Sequence, residues 1–334
     1  MSEVRPLISA CIIVRDEAAL LPRCIASLGD LCDEIRVLDT GSRDATVMVA
    51  RALGAHVDID SSCNDADGLI ADFSRARNIC LGLARGRWIL QIDADEILQA
   101  GHAALRDVVQ TDATDVLGIT LRSGGRAWVG TRFFRADAAR GYEGRIHERL
   151  DYQGRYQAMP EVAIENHPDK AGKEPSSTRN LRLSRLAVRE SPDDSRAWYY
   201  LGQEERRIGA FDAATEAYRR CIDGGRHPIS AFHSRYYLAV CQFLSERYTD
   251  ALIALDDAIA TDRRYAEGHC LRGDINVLLG DTGSAVADFE RALACGAPPA
   301  DAVFAVDAAC YDTYPTSCLE RLATERSMTG NATS

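Results

Sequence analysis

Nowhere in this 334-residue chain do apolar residues run uninterrupted for the roughly 18 positions a bilayer-spanning helix needs, so no transmembrane segment is expected. Positive charge is in deficit. With 39 Lys and Arg against 50 Asp and Glu, the formal net charge is −11, which argues against a broad nucleic-acid or anionic-membrane surface. A single basic cleft is still allowed. Cysteine pairs with metal-site spacing are absent as well: the eleven cysteines are scattered, and several, such as Cys24, Cys80 and Cys241, fall inside apolar helical stretches. Reduced, mostly buried thiols in a cytoplasmic protein are the natural reading. The opening residues Met1 to Pro6 lack a basic leader and a small-residue cleavage site, so no secretory signal is expected. What the chain does have is 46% hydrophobic and 27% charged residues, enough for a sizeable core, at a length that suits two domains.

Up to about residue 120, short apolar runs alternate with amphipathic stretches. Strands are predicted at Ile8–Val14, Glu34–Leu38, His56–Ile59 and Trp88–Ile92. Between them helices are predicted at Ala18–Leu28, from an Asp44 cap to Leu53 with Gly54 past its end, and at Phe73–Ala84. Such alternation specifies an α/β domain with a mainly parallel sheet, whose ligands bind beyond the carboxyl ends of its strands. Asp39 and Asp93 fall at such ends.

From roughly residue 178 the pattern is helical and repeats. Gly202, Ala239 and Gly273 align, as do Ala214, Ala251 and Ala285; Tyr218, Leu255 and Phe289; and Cys221, Ala258 and Ala292. Every set is spaced by 37 and then 34 residues, so one frame relates three units. The longer first interval fits a loop around His227-Pro228-Ile229-Ser230, and Arg179–Glu190 reads as a half-repeat joining the domains. With Trp198, Leu201 and Gly202 opening the first unit, this order of small, small, large and small resembles the tetratricopeptide repeat. Small residues let paired helices approach, and the larger ones fill the gap between them.

The sharpest local feature is Asp93-Ala94-Asp95-Glu96, directly after the strand Trp88–Ile92. Carboxylates one residue apart at a strand end can converge on a hard divalent cation and so neutralise a diphosphate leaving group. Acidic residues also cluster at helix N-termini, and that reading stays open for this segment alone.

The segment has company. Val14-Arg15-Asp16-Glu17, Asp39-Thr40-Gly41-Ser42-Arg43-Asp44-Ala45-Thr46, Asp72-Phe73-Ser74-Arg75-Ala76-Arg77-Asn78 and Asp93-Ala94-Asp95 together closely resemble, in order and spacing, family 2 glycosyltransferases with the GT-A fold. The match covers roughly residues 7–170, and one branch of that family carries tetratricopeptide repeats at its C-terminus. The resemblance implies a Rossmann-like GT-A domain over residues 1–177, an all-α tetratricopeptide-repeat domain over 178–325 and a tail over 326–334.

The resemblance also implies roles. Val14 and Glu17 would lie against the nucleoside, Asp39 would accept a hydrogen bond from the base, Asp72 would belong to the donor site, and Arg77 would reach base or diphosphate. Asp93 would contact ribose or metal, and Asp95 would be the main ligand of a divalent ion, Mn²⁺ or Mg²⁺. Further along, Thr131-Arg132-Phe133-Phe134-Arg135 and Gly144-Arg145-Ile146-His147-Glu148 look like the family's acceptor-side segment. Inverting transfer needs a base, and Glu148 is the choice; His147 would contact the donor or orient Glu148. His167, in Glu165-Asn166-His167-Pro168, matches a histidine that often completes the metal site. Here the chain departs from its relatives, because the usual continuation His-x-Gly-Tyr is replaced by His-Pro-Asp.

Other features carry less. Residues 61–68 read as a polar surface loop, Gly124-Gly125 as a hairpin turn, the Tyr199-Tyr200 and Tyr236-Tyr237 pairs as packing residues, and the Asn331 sequon as irrelevant to a cytoplasmic protein. The implied function is inverting, hexosyl-type transfer from a nucleotide-sugar, UDP-linked on the resemblance, to a peptide, protein or glycan acceptor. The repeats would recognise the acceptor or form a homodimer. A rival reading is an inactive tetratricopeptide adaptor with a degenerate GT-A domain. A nucleotidyltransferase is disfavoured, because Val14-Arg15-Asp16-Glu17 is not the Gly-rich, basic loop such enzymes place after their first strand.

Overall fold

The structure, a computed structural model, describes residues 7–111, 113–168, 174–225, 231–299 and 306–330. The loop expected around His227 to Ser230, and the Asn331 sequon, lie outside the described residues. The chain divides into two compact units, residues 1–176 and 177–334.

In the first unit the strands are β1 (Ile8–Val14), β2 (Glu34–Asp39), β3 (His56–Ile59), β4 (Trp88–Gln91), β5 (Glu96–Ala100), β6 (Val116–Ser123), β7 (Arg126–Arg135), β8 (Ala139–Glu143), β9 (Arg149–Tyr152) and β10 (Tyr156–Asn166). The helices are α1 (Leu21–Leu28), α2 (Thr46–Ala52), α3 (Phe73–Leu83) and α4 (His102–Thr111). Eight strands form one sheet in the order β3-β2-β1-β4-β7-β6-β10-β5, and β8 and β9 form a separate ribbon. β3, β2, β1 and β4 are parallel, while β7 and β5 run against their neighbours. The apolar run of β1 suits its central place, where both faces are covered. One face packs residues of α1, α2 and α4, among them Leu21, Leu28, Ala50 and Leu105, against Ile12, Trp88 and Phe133. The other packs Ala76 and Cys80 of α3 against Cys11, Leu38 and Phe134.

Three local expectations are refined. The first helix starts at Leu21 and not Ala18, because residues 18–20 form a turn held by Leu20 N–H donating to the Glu17 carbonyl at 3.0 Å. Asp44 does bind the start of α2, accepting from Thr46 N–H at 2.9 Å, but it also ties back to Ala18 N–H at 3.1 Å. Asp93-Ala94-Asp95-Glu96 is not a helix N-terminus: it turns directly from β4 into β5, with Glu96 N–H donating to the Asp93 carbonyl at 2.9 Å. Gly124 and Gly125, at φ 55° and 78°, do turn the β6–β7 hairpin in the left-handed conformation a two-residue loop needs.

The second unit is helical: α5 (Ser176–Glu190), α6 (Ser195–Arg207), α7 (Phe211–Gly224), α8 (Phe232–Leu244), α9 (Tyr248–Thr261), α10 (Ala266–Leu278), α11 (Thr282–Ala294) and α12 (Thr313–Gly330). α6 packs on α7, α8 on α9 and α10 on α11. The aligned residues are the buried contacts of these pairs: Ala214, Ala251 and Ala285, and Tyr218, Leu255 and Phe289, are fully buried. α12 runs on to Gly330, past residue 325 where the sequence reading ends the repeats. Among the described residues no helix is long and apolar enough to cross a membrane.

The repeat geometry depends on close approach at glycine. A Cβ on Gly202 would lie 2.7 Å from Tyr218 Cε1, and one on Gly273 would lie 2.8 Å from Phe289 Cε1. Gly202→Ala is therefore expected to destabilise the helical unit by about 1–3 kcal/mol, the scale of overpacking, in denaturant unfolding. Gly283→Ala serves as the control, since its added carbon meets nothing closer than 3.6 Å. Equal stability of both variants would contradict the close approach.

Candidate active site

The site lies at the carboxyl ends of the parallel strands, where Val14 pairs with Asp39 and Cys11 with Gln91. Asp39 is 2% exposed. Its Oδ1 accepts from the N–H groups of Gly41 and Ser42, both at 2.9 Å, while its buried Oδ2 has no hydrogen-bond partner. Val14 packs in the core, and its carbonyl accepts from Thr40 N–H at 3.0 Å. The turn after Val14 is stapled to the same loop: Asp16, at φ 54°, accepts from Arg43 N–H at 2.7 Å, and Glu17 N–H donates to Thr46 Oγ1 at 2.8 Å. Two loops thus present Asp39 and Glu17 at one place.

Asp72 caps α3, accepting from Arg75 N–H at 2.9 Å and Ser74 Oγ at 2.8 Å, and its other oxygen lies 3.6 Å from Arg145 Nη1. That cap fixes the helix carrying Arg77. Arg77, nearly buried, joins two carboxylates. Its Nη1 and Nη2 donate to Asp93 Oδ1 and Oδ2 at 2.9 and 3.3 Å, and its Nε donates to Glu148 Oε1. This bidentate fork is the geometry guanidinium and carboxylate prefer. Glu148 reaches Arg77 from the segment after β8, where His147 sits at φ 53°, a strained backbone for a non-glycine residue.

A second arginine approaches from the other side. Arg132 Nη2 donates to Glu96 Oε1 at 2.9 Å, its Nη1 donates to Gln91 Oε1, and Nη1 lies 3.6 Å from Asp93 Oδ2. Burial works to raise the Asp93 pKa, but Arg77 and Arg132 outweigh it and hold the carboxyl well below the usual range. Glu96 is pushed up to about 7, chiefly by burial, with Arg132 opposing and Asp93 adding to the rise. Burial works to lower the Arg77 pKa, yet Asp93 and Glu148 hold it well above its ordinary value.

Asp95 and His167 meet through the backbone, His167 N–H donating to the Asp95 carbonyl at 2.7 Å. The imidazole is partly exposed, with Nε2 3.7 Å from Glu165. Among the described residues no group of three or more His, Cys, Asp and Glu side chains is placed to hold a metal ion. The structure therefore gathers Arg77, Asp93 and Glu148 in one ion-paired group, sets Asp95 and His167 beside each other, and spends Asp72 on the helix cap. Gln91 and Glu96 received no role from the sequence, and Arg132 only a place in the segment read as acceptor-side. An arginine within the strand run Thr131-Arg132-Phe133-Phe134 was the available signal.

Residues 9–147 match the Glycosyl transferase family 2 model, and residues 182–226 and 245–302 match the Tetratricopeptide repeat model. The N-terminal unit is a family 2 glycosyltransferase domain. The chain is similar to a TPR repeat-containing protein of Synechococcus elongatus, 47% identical over 116 residues, 34% of this chain and 26% of that protein. It is also similar to the SPbeta prophage-derived glycosyltransferase SunS of Bacillus subtilis, 26% identical over 275 residues, 75% of this chain and 62% of SunS. The crystal structure of S. aureus TarS superimposes with a TM-score of 0.43 at 13% identity, over 78% of this chain and 55% of TarS. The chain spans less than two thirds of the length of each of these relatives.

Within the glycosyltransferase domain, the Arg77 ion pairs make a direct prediction. Arg77→Met leaves Glu148 facing an apolar side chain and strips Asp93 of its bidentate partner. Removing one member of a buried ion pair costs about 3–5 kcal/mol, and denaturant unfolding of the domain should register a loss on that scale. The double variant with Glu148→Gln should lose less than the two single losses combined. A fully stable Arg77→Met protein would mean that the ion pairs do not form in solution.

Proposed function

We propose that this protein transfers a hexosyl sugar, with inversion, from a nucleoside-diphosphate donor to a peptide, protein or glycan acceptor. The observation that carries this reading is the Arg77 bridge, which joins the carboxylate assigned to the donor, Asp93, to the one assigned to the acceptor, Glu148. The nucleoside lies against Val14 and Glu17. Asp39 Oδ2, buried and without a partner, accepts an N–H from the base. Uracil offers one at N3, whereas cytosine has no proton at that ring nitrogen, which favours a UDP-linked over a CDP-linked donor. Asp93 faces the ribose, Arg77 neutralises diphosphate charge, Asp72 holds α3 in place, and His147 orients Glu148.

The donor set suits a divalent ion in part. Asp95 would offer a carboxylate oxygen and His167 an imidazole nitrogen, from two residues whose backbones are hydrogen-bonded to each other, a donor pair that Mn²⁺ accepts readily and Mg²⁺ less so. Asp93, the third expected ligand, has its oxygens engaged by Arg77, so the hold on the ion rests on Asp95 and His167. When bound, the ion neutralises charge on the departing diphosphate. Glu148 takes the acceptor's proton as the acceptor atom attacks the anomeric carbon. The bond to the diphosphate breaks on the opposite face, its electron pair leaves with the phosphate oxygen, and the configuration inverts. The helical unit presents the acceptor or pairs two copies of the chain. The eleven free, mostly buried thiols suit the reducing cytoplasm.

A panel of nucleotide-sugars tests this without an acceptor, by slow donor hydrolysis in the presence of Mn²⁺. UDP-sugars should be consumed, and turnover should stop with chelator. With a hydroxyl acceptor, Glu148→Gln should lower turnover by roughly a hundredfold or more, the scale of losing a positioned base, while donor affinity is kept. Should the low-pH limb of the rate profile persist in Glu148→Gln, another residue is the base. No consumption of any nucleotide-sugar would contradict the proposal.

A further inference from the structure

β7 carries one residue too many. It pairs with β6 at Phe133↔Leu117 and next at Thr131↔Gly118, so Arg132 is the extra residue of a β-bulge. On its other side β7 pairs with β4 as far as Phe133↔Leu90, which sets Arg132 at the level of Gln91, the last residue of β4. A bulge re-aims a side chain, and this one turns a guanidinium toward the end of the strand that carries Asp93. Its side chain is 15% exposed, and every hydrogen bond it is seen to make leads back to Asp93.

Two bridges do this. Arg132 Nη1 donates to Gln91 Oε1, which fixes the amide so that Gln91 Nε2 donates to Asp93 Oδ1 at 3.1 Å. Arg132 Nη2 donates to Glu96 Oε1 at 2.9 Å, while Glu96 Oε2 accepts from the Asp93 backbone N–H at 2.8 Å. One guanidinium therefore orients both the carboxylate and the peptide of Asp93. Without Arg132 the Gln91 oxygen would lose its donor and no longer be pinned, and Glu96 would stand as a buried charge without a cation.

We infer that Arg132 is a positioning residue for donor binding: through Gln91 and Glu96 it sets the side chain and backbone of Asp93 in the orientation that receives the nucleotide. This rests on the proposed donor site. A planar fork is required, because a single ammonium cannot serve the Gln91 amide and the Glu96 carboxylate in the same directions.

The test is titration of the full-length protein with UDP and Mn²⁺, and with GDP and Mn²⁺ if UDP is silent, alongside thermal unfolding. Arg132→Lys keeps the buried positive charge and should unfold near the wild-type temperature. Its nucleotide Kd should nevertheless rise by about tenfold or more, the scale of losing a charge-assisted contact, and donor KM should rise with it while kcat at saturating donor changes little. Gln91→Met disturbs no charge and covers the case of an unfolded lysine variant; it should raise the same Kd several-fold. If wild type binds neither nucleotide, the proposed function fails and the inference with it. If wild type binds but Arg132→Lys and Gln91→Met bind equally well, Arg132 serves only the stability of the domain and the inference is overturned.

Discussion

The Arg77 guanidinium is the interaction on which the site depends. Asp93 and Glu148 come from distant parts of the chain, and two carboxylates drawn into one largely buried place would repel. A cation between them makes the approach favourable, and its fork dictates their directions. The helix that carries Arg77 is secured at several points. Asp72 caps it, Phe73 N–H donates to the Arg145 carbonyl at 3.0 Å, and Asn78 grips the β8–β9 ribbon. The Asn78 side chain donates to the Tyr142 carbonyl at 2.9 Å and accepts from Tyr142 N–H at 2.6 Å. The segment Gly144–Glu148 leaves β8 directly after this grip, so α3 positions both the arginine and the carboxylate it binds.

Much of this was legible in the sequence, for a physical reason. Strand-end residues of a parallel sheet face a crevice whatever the loops do, so carboxylates at Asp39 and Asp93 could be placed from strand periodicity alone. β3 occupies His56–Ile59 as the alternation predicts, and Gly124-Gly125 turns its hairpin because few other pairs tolerate two positive φ values. Spacing could not reveal what the carboxylates bind. Asp93 reads as a residue facing ligand, yet its oxygens are taken by two arginines. Asp72 reads as a donor residue, yet it works here as a helix cap. Whether Asp93 to Glu96 opened a helix or a strand turned on its pairing with a distant partner, β10. A bulge at Arg132 leaves no periodic trace, since one inserted residue in a ten-residue strand only blurs the alternation.

The helical unit illustrates the opposite case, in which sequence spacing and packing report the same fact. Gly202 and Gly273 recur because an aromatic ring, Tyr218 or Phe289, lies against each at a distance that excludes even a methyl group. The interval between repeats can vary where a loop takes up the difference, but the partner spacing within a repeat cannot. A large ring also needs the small residues that flank it, and Ala214 and Cys221 supply them around Tyr218. The unit's identity is thus written in a few steric pairs.

The most direct measurement of the central claim is a crystal structure of the protein with UDP and Mn²⁺. The account predicts the uracil N3–H on Asp39 Oδ2, the diphosphate within reach of Arg77, and Asp95 among the residues that hold any bound ion. Glu148 should then face the space where the sugar's anomeric carbon would stand. Nucleotide bound away from the carboxyl ends of β1, β2 and β4, or Asp39 Oδ2 still without a partner in the complex, would contradict it.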